Sequence, residues 1–233
     1  MCRCFAADLD WDAIAARFDV DEGDVNPAAL PAPSYNLQPK RTVGIVAEGR
    51  DGKRHLTGAY WSLIPAWSPV REPAYPTYNA RVESACAKPT FADSAKSMRA
   101  VIPASGYYEF HGRRPYYFHA PDDMPLFLAG LFSWWRAPQD PFPWLLTATI
   151  LTCRAVDGPA TVHDRMPLLV PHDMTDAWLD RAVAGASLMT DMQNGGTELS
   201  RKLAFHEVAA FGPTDDGHEL IRPLPQVDAS SLF

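Results

Sequence analysis

The stretch LFLAGLFSWW at residues 126–135, followed by WLLTATILT at 144–152, decides the fold. Both runs are apolar along almost their whole length, which is typical of strands buried on both faces. The segment RAPQDPFP at 136–143 separates them and predicts a turn, because proline punctuates regular structure. The sequence therefore predicts two buried strands here.

Further strands are predicted on both sides of these two. The segment GRDGK at 49–53 predicts a hairpin between residues 42–48 and 55–62. The segment HGR at 111–113 predicts a second hairpin between residues 99–110 and 114–120. A late strand is expected at 203–211.

Helices are expected to be few. Residues 9–18 have helical spacing, with Asp8 or Asp10 as the N-cap, and residues 171–180 predict a short capped helix. With two or three short helices in all, the fold class is α+β with a predominantly antiparallel sheet.

Composition indicates an ordinary globular protein. The 233 residues are 47% hydrophobic and 21% charged, and no apolar run reaches the length of a membrane span. The amino terminus lacks the pattern of a signal peptide, and four cysteines are too few for a disulfide scaffold. We therefore expect a cytoplasmic protein.

The net charge of −7 is unevenly distributed. Residues 171–233 hold 4 basic and 10 acidic residues, whereas residues 25–119 hold 12 basic and 6 acidic. A basic face that binds phosphate beside an acidic carboxyl-terminal part is one interpretation, and scattered solvated charge explains the counts equally well.

Several chemistries are excluded by missing motifs. The sequence contains no GxxxxGK[ST], GxGxxG, HExxH or GxSxG. Cys2 and Cys4 are too close together for a zinc knuckle, and no second Cys/His pair follows, so neither a metal nor another cofactor is predicted. Cys86 and Cys153 have small or apolar neighbours and are expected to be buried structural thiols.

Four segments combine reactive side chains with turn chemistry: MCRCF (1–5), YNARVES (78–84), IPASGYYEF (102–110) and HDRMP (163–167). Glu109 ends an apolar run, where burial would raise the pKa of its carboxyl toward acid–base use. Alternatively, it begins the turn and pairs with Arg113 or Arg114. His163 is a candidate proton shuttle, with Asp164 or Arg165 anchoring its loop.

Taken in order, these segments resemble the SRAP family, the SOS response-associated peptidases or abasic-site processing proteins. The resemblance runs from Met1 to about Leu179, and residues 180–233 are less diagnostic. It implies a barrel-like sheet in a single domain over 1–233. The other segments that carry it are SYNLQP (34–39), AYWSLIPAW (59–67), ESACAKPTF (83–91), RPYYFHA (114–120), LAGLFSWW (128–135), TILT (149–152) and HDRMPLLV (163–170).

The resemblance implies a catalytic group made of Cys2, Asn79, Glu109 and His163. After removal of Met1, Cys2 would present an α-amine and a thiol, which together convert the aldehyde of an abasic site into a thiazolidine. Glu109 would handle protons at the amine and thiol, and His163 would promote opening of the sugar. Asn79 would position the amino-terminal residue and the lesion.

The resemblance also implies DNA-binding residues. Arg81 would contact phosphate, with Arg3 and Arg165 as further contacts, and Pro39, Trp67 and Phe110 would stack on bases or wedge between them. Core packing is the alternative for Trp67. The family usually reads M-C-G-R at its start, so Arg3 replaces its glycine and Cys4 its arginine.

Three functions follow as hypotheses. The first is a sensor that links itself covalently to abasic sites in single-stranded DNA, with strand cleavage or reversal through the same imine. The second is a cysteine peptidase that uses Cys2 with His163 and Glu109. The third is a non-covalent binder of single-stranded DNA. We expect a monomer that acts at the nucleoid, without membrane contact.

Overall fold

The structure is a computed structural model that describes residues 2–137 and 144–225. The strands are β1 (Phe5–Ala7), β2 (Ser34–Leu37), β3 (Thr42–Glu48), β4 (Arg54–Trp61), β5 (Asn79–Arg81), β6 (Arg99–Ala104), β7 (Gly106–His111), β8 (Arg114–His119), β9 (Leu126–Trp135), β10 (Leu145–Arg154), β11 (Arg165–Pro167) and β12 (Ala204–Glu207). The α-helices are α1 (Trp11–Arg17), α2 (Val82–Ala85), α3 (Pro89–Ser97), α4 (Asp157–Val162), α5 (Thr175–Leu179) and α6 (Gly185–Ser200). Among the described residues, no helix is both long and apolar enough to span a bilayer.

Strands β3, β4, β6, β9 and β10 close into a barrel. The two buried strands predicted from the sequence, β9 and β10, pair antiparallel from Leu145↔Trp135 to Ile150↔Gly130. The predicted hairpin of β3 and β4 lies between β6 and β10, and the β4–β10 pair is parallel. The expected α+β class with a mostly antiparallel, barrel-like sheet is confirmed. Part of the turn predicted at 136–143 lies outside the described residues.

A second sheet packs against this barrel. It has the order β12–β8–β7–β1–β2, and all its pairs are antiparallel. Phe5 of β1 and Trp61 of β4 lie edge to face with ring centroids 5.1 Å apart, so the amino-terminal strand is fixed against the barrel.

The prediction of one strand over 99–110 is wrong, because β6 belongs to the barrel and β7 to the second sheet. The chain changes sheet at Ser105, whose N–H donates to the Ala6 carbonyl at 2.7 Å. Gly106 is required next to it, because a Cβ there would lie 2.4 Å from the Tyr117 ring and 2.5 Å from the Phe118 carbonyl oxygen. This bend aims β7, and therefore Glu109, at the amino-terminal segment.

The helices were predicted in part. Helix α1 forms as expected, and Asp10 is its N-cap because its carboxylate accepts from the N–H groups of Asp12 and Ala13. The expectation of two or three short helices is wrong, since α3 and the 16-residue α6 also form. Helix α6 contains the adjacent glycines Gly195 and Gly196, and such a pair in a sequence is more typical of a loop than of a helix. In the fold they permit close packing, since a Cβ on Gly196 would lie 2.4 Å from the Leu169 carbonyl oxygen.

Two short strands pair with the carboxyl-terminal half of β10. Strand β5 pairs with it in parallel and β11 pairs antiparallel. Cys153 of β10 is buried as expected, but Cys86 after α2 is exposed, so the prediction of a buried thiol there is wrong. Strand β10 therefore brings the segments around residues 79 and 165 to one end of the barrel.

Candidate active site

The amino-terminal segment is held inside the protein rather than on its surface. Cys2 is completely buried, and its carbonyl oxygen accepts a hydrogen bond of 2.7 Å from Nδ2 of Asn79. The Cys4 carbonyl oxygen lies 3.7 Å from the Cys2 Sγ and accepts from the Tyr108 N–H at 3.2 Å. Cys2 is thus fixed between β5 and β7.

Strand β5 places Asn79 and Arg81 on one face, because side chains alternate along a strand and Ala80 points into the core. Asn79 Oδ1 is buried and has no hydrogen-bond partner among the described residues, so it offers an acceptor beside Cys2. Arg81 is exposed two residues further on. The structure therefore brings Asn79 to Cys2 and leaves Arg81 facing solvent.

Glu109 is only 3% exposed on β7. Burial raises the pKa of its carboxyl to about 7, while the charge of Arg3 opposes the shift. The expectation of a raised pKa is confirmed. Pairing with Arg114 is wrong, because that guanidinium contacts the Tyr116 hydroxyl at 2.7 Å and the Glu207 carboxylate at 3.5 Å.

The thiol of Cys2 is electrostatically coupled to this carboxyl. Burial raises the pKa of Cys2 well above its ordinary value, and the charges of Glu109 and Cys4 raise it further. The thiol is therefore protonated at neutral pH. Burial raises the pKa of the Tyr107 hydroxyl well above its ordinary value, and the charges of Glu109 and Cys2 raise it further. This hydroxyl has no hydrogen-bond partner within the described ranges.

His163 follows α4 and is partly buried. Its Nδ1 lies 2.9 Å from the backbone nitrogen of Arg165 and 2.9 Å from an Asp164 carboxylate oxygen. When the neutral ring carries its proton on Nε2, Nδ1 accepts a hydrogen bond from the Arg165 N–H. When the ring carries a proton on Nδ1, Nδ1 donates to the Asp164 carboxylate. Burial lowers the pKa of His163, so the ring is neutral at pH 7 and can carry its proton on either nitrogen.

The Arg165 side chain is largely buried and paired within the protein, unlike an exposed arginine that is available to a phosphate. Its side chain is 11% exposed and forms a bidentate ion pair with Glu83 at 2.6 and 3.0 Å. It also donates to the Thr152 carbonyl oxygen at 2.5 Å. Arg165 thus anchors the loop that carries His163. Glu83 was not identified as a site residue from the sequence, although it lies in a quoted motif.

Four of the predicted DNA-binding residues, one expected to contact phosphate and three expected to contact bases, divide into two groups. Arg3, Pro39 and Phe110 line one groove of about 270 Å³ beside Cys4. Trp67 does not line that groove, but it is 58% exposed, so core packing is wrong for it. Phe211 lines the same groove and was missed, because no motif surrounds it.

Within the described part of the chain, one group of potential metal ligands lies outside the residues that contact Cys2. Ligand atoms of Asp24, Asp51 and His55 are within 4.8 Å of one another at the turn between β3 and β4. The His55 ring already contacts both Asp51 oxygens at 3.2 Å and Asp24 at 3.5 Å, so hydrogen bonding explains the cluster.

Comparison with known proteins agrees with this arrangement. The Bacillus subtilis abasic site processing protein YoaM is 32% identical over 77% of this chain and 79% of its own length. The Escherichia coli abasic site processing protein YedK is 27% identical over 96% of this chain and 100% of its own. A crystal structure of a Bacteroides thetaiotaomicron protein has the same fold, with a TM-score of 0.76, 19% identity, and coverage of 96% of this chain and 100% of that one.

The family profile described as SOS response associated peptidase (SRAP) matches residues 1–210. That range contains Cys2, Asn79, Glu109 and His163. The chain belongs to the SRAP family.

Proposed function

We propose that this protein processes abasic sites in single-stranded DNA by forming a covalent thiazolidine through Cys2 once Met1 is removed. The observation that carries the proposal is the position of Cys2, held by Asn79 and electrostatically coupled to Glu109. Glu109 has a pKa of about 7, so it can both accept and donate a proton at neutral pH. The names of the relatives in Bacillus subtilis and Escherichia coli support the same substrate.

The chemistry begins at the α-amine of mature Cys2. An ordinary α-amine has a pKa of about 7.7–8.0, which leaves roughly a tenth unprotonated at pH 7. Its lone pair attacks C1′ of the ring-opened aldehyde, and loss of water gives an imine. Glu109 takes the amine proton and returns one to the departing hydroxyl.

The thiol then closes the ring. The Cys2 Sγ–H adds across the C=N bond, so a C–S bond forms and the thiol proton goes to nitrogen through Glu109. The net reaction converts aldehyde and aminothiol into a thiazolidine and one water. Holding both nucleophiles on one residue supplies a large effective molarity.

His163 acts on the sugar in this proposal. The closed sugar cannot react until its ring oxygen gains a proton and the hydroxyl at C1′ loses one. A neutral imidazole whose proton can reside on either nitrogen suits that exchange. Asn79 Oδ1 supplies an acceptor for the amine or the lesion. Strand cleavage or reversal would proceed from the same imine.

The peptidase alternative fits the electrostatic environment of Cys2 less well. A nucleophilic cysteine needs a lowered pKa to provide thiolate, whereas burial raises the pKa of Cys2 well above its ordinary value. An amine that attacks first has no need of thiolate. The non-covalent alternative requires only the exposed arginines and the groove, so covalent chemistry is the property to test.

The experiment uses an abasic single-stranded oligonucleotide and a denaturing gel. Wild-type protein is expected to form a heat-stable adduct, and its intact mass should lack Met1. The Cys2→Ser variant should give only an imine that borohydride traps, and Cys86→Ala, which removes an exposed thiol outside the site, should react like wild type. A heat-stable adduct from Cys2→Ala, or Met1 retained in protein that forms the adduct, would refute the mechanism. Peptide hydrolysis lost in Cys2→Ala would favour the peptidase.

A further inference from the structure

We propose that Phe211 adds a further stacking face, for the base of a nucleotide adjacent to the lesion, to the groove beside the candidate active site. This inference rests on the proposed function and adds a binding residue to it. Phe211 lies just beyond residues 1–210, the range matched by the family profile. We call this site the Phe211 groove. It is lined by Arg3, Cys4, Gln38, Pro39, Phe110, Phe211, Gly212 and Pro213.

The Phe211 groove lies beside the reactive centre, because the charge of Arg3 acts on the Glu109 carboxyl and that carboxyl in turn raises the pKa of Cys4. Arg3 and Cys4 directly follow Cys2, and Phe110 directly follows Glu109 on β7. A strand of DNA with its lesion at Cys2 would therefore pass a neighbouring nucleotide over this groove.

Phe211 is held rigidly, although it lies outside the regular elements. Its ring centroid is 4.9 Å from that of Tyr108 and 6.0 Å from that of Phe110. The following residues are tied to β2, because Nδ2 of Asn36 donates to the carbonyl oxygens of Gly212 at 3.0 Å and Asp215 at 2.8 Å. Such a preformed face loses little conformational entropy when a ligand binds.

Asp216 reinforces this attachment. Its carboxylate accepts from the Tyr35 N–H at 2.6 Å and the Ser34 hydroxyl at 2.8 Å. The segment 211–216 is therefore held against β2, and its residues 211–213 form one wall of the groove.

The chemistry of the lining favours a nucleobase. Pro39, Phe110, Phe211 and Pro213 offer flat apolar faces, which single-strand binders use to stack bases. Arg3 is exposed and is the one charged residue among the groove's described lining residues, so it can pair with a phosphate. The Asp215 carboxylate behind Gly212 accepts from the Gly212 N–H at 2.7 Å. At about 270 Å³ the groove suits one planar ring rather than a larger ligand.

The test uses oligonucleotides that carry tetrahydrofuran, an unreactive analogue of the abasic sugar. A 2-aminopurine base is placed on its 5′ or 3′ side, and stacking is measured as fluorescence quenching. Wild-type protein is expected to quench the probe at one of the two positions. Phe211→Ala should lose that quenching and bind about tenfold more weakly, as expected for one base stacked on an aromatic ring.

Two further variants keep the test decisive. Phe211→Leu retains apolar packing against Tyr108 but has no aromatic face, so it should keep the wild-type Tm and still lose quenching. Phe205→Ala removes an exposed aromatic ring from β12, outside the groove, and should bind like wild type. Wild-type affinity and quenching in Phe211→Leu would overturn the proposal.

Failure of the proposed function gives a different result. If wild-type protein binds the tetrahydrofuran probes in a Phe211-dependent way but forms no adduct with true abasic DNA, the covalent mechanism is wrong and the Phe211 groove stands. If the adduct forms normally while the Phe211 variants bind and quench like wild type, the groove proposal alone is wrong.

Discussion

Glu109 links the stability of the folded protein to pH. Its carboxyl has an ordinary pKa of 4.5, and burial raises this to about 7 in the fold. The folded state therefore holds this proton more tightly than the unfolded state does. The associated stability is fully present below pH 4.5 and is lost as pH rises through 7.

We expect Glu109→Gln to be increasingly stable relative to wild type as pH rises. The free energies of unfolding should be similar near pH 4.5, and the variant should gain about 3 kcal/mol at pH 8, because it buries no ionised carboxylate. Urea unfolding between pH 4.5 and 8 measures this difference. Glu207→Gln, on the partly exposed strand β12, is the control for the same substitution outside the candidate site. A constant difference for Glu109→Gln would contradict the raised pKa.

The pair of Glu83 and Arg165 holds the loop of His163. The guanidinium is clamped by Glu83 and Thr152, while the Arg165 backbone N–H points at Nδ1 of His163. We expect Glu83→Gln to slow adduct formation at saturating DNA about tenfold, because the imidazole loses part of its orientation. Single-turnover gel assays measure the rate. Glu72→Gln disrupts an exposed ion pair with Lys40 and should leave it unchanged.

The same variant distinguishes two roles for Arg165. If Glu83 instead competes with DNA phosphate for the guanidinium, Glu83→Gln should bind single-stranded DNA more tightly and leave the rate at saturation unchanged. Fluorescence anisotropy at several salt concentrations separates this result from the expected one.

At the scale of elements, Arg99 joins the start of β6 to the end of α5. Its guanidinium is buried and donates to the carbonyl oxygens of Trp178 at 2.6 Å, Lys96 at 2.9 Å and Val183 at 3.0 Å, as well as to that of Asp180. These bonds satisfy carbonyl groups that the helix ends leave without intrahelical partners.

We expect Arg99→Met to lower the free energy of unfolding by about 3–5 kcal/mol, because several buried carbonyls lose a charged donor. Chemical denaturation measures this change. The control, Arg201→Met, removes exposed ion pairs with Asp157 and Glu198 and should cost less than about 1 kcal/mol. Equal losses in the two variants would show that the carbonyl network contributes little.

Elements whose signals are local were predictable from the sequence. The hairpin of β3 and β4 follows from its turn at 49–53 and was predicted, as was α1 from its Asp10 cap. The break at Ser105 was not, because a hydrogen bond to Ala6, about a hundred residues away, determines it. Helix α6 was missed because its glycines are explained only by the elements packed against them.

The candidate site shows the same division. Cys2, Asn79, Glu109 and His163 lie in motifs that a family resemblance can identify, and the raised pKa of Glu109 followed from its apolar neighbours. The attachment of Arg165 to Glu83 is a contact between distant segments, so the sequence did not show it. Phe211 joins the groove only because Asn36 fixes the segment that follows it.

At the scale of the whole molecule, a negative net charge coexists with exposed arginines at the candidate site. The chain carries −7, yet the candidate site has exposed arginines at 3 and 81. DNA binding should therefore depend on a few contacts and weaken as salt rises.

We expect Arg81→Ala to weaken binding of single-stranded DNA and to reduce the slope of log K against log[salt] by about 0.7, the value for one phosphate contact. Anisotropy titrations from low to high salt measure both quantities. Arg50→Ala is the control, because it removes the same charge in the turn between β3 and β4. This turn is at the opposite end of the hairpin from Trp61 and Asn79, so the slope should not change. Equal slopes in wild type and Arg81→Ala would exclude a phosphate contact at Arg81.

The contrast between Cys86 and the other cysteines makes the protein suitable for single-site labelling. Cys86 is exposed, whereas Cys2, Cys4 and Cys153 are buried. Burial raises the pKa of Cys4 to about 12 and that of Cys153 to about 11, and partial burial also raises the pKa of Cys86, so accessibility is what distinguishes Cys86. A maleimide dye should therefore attach at Cys86 and spare the residue that would react with DNA. One fluorophore could then report on encounters with a damaged strand while the chemistry proceeds on an unmodified amino terminus.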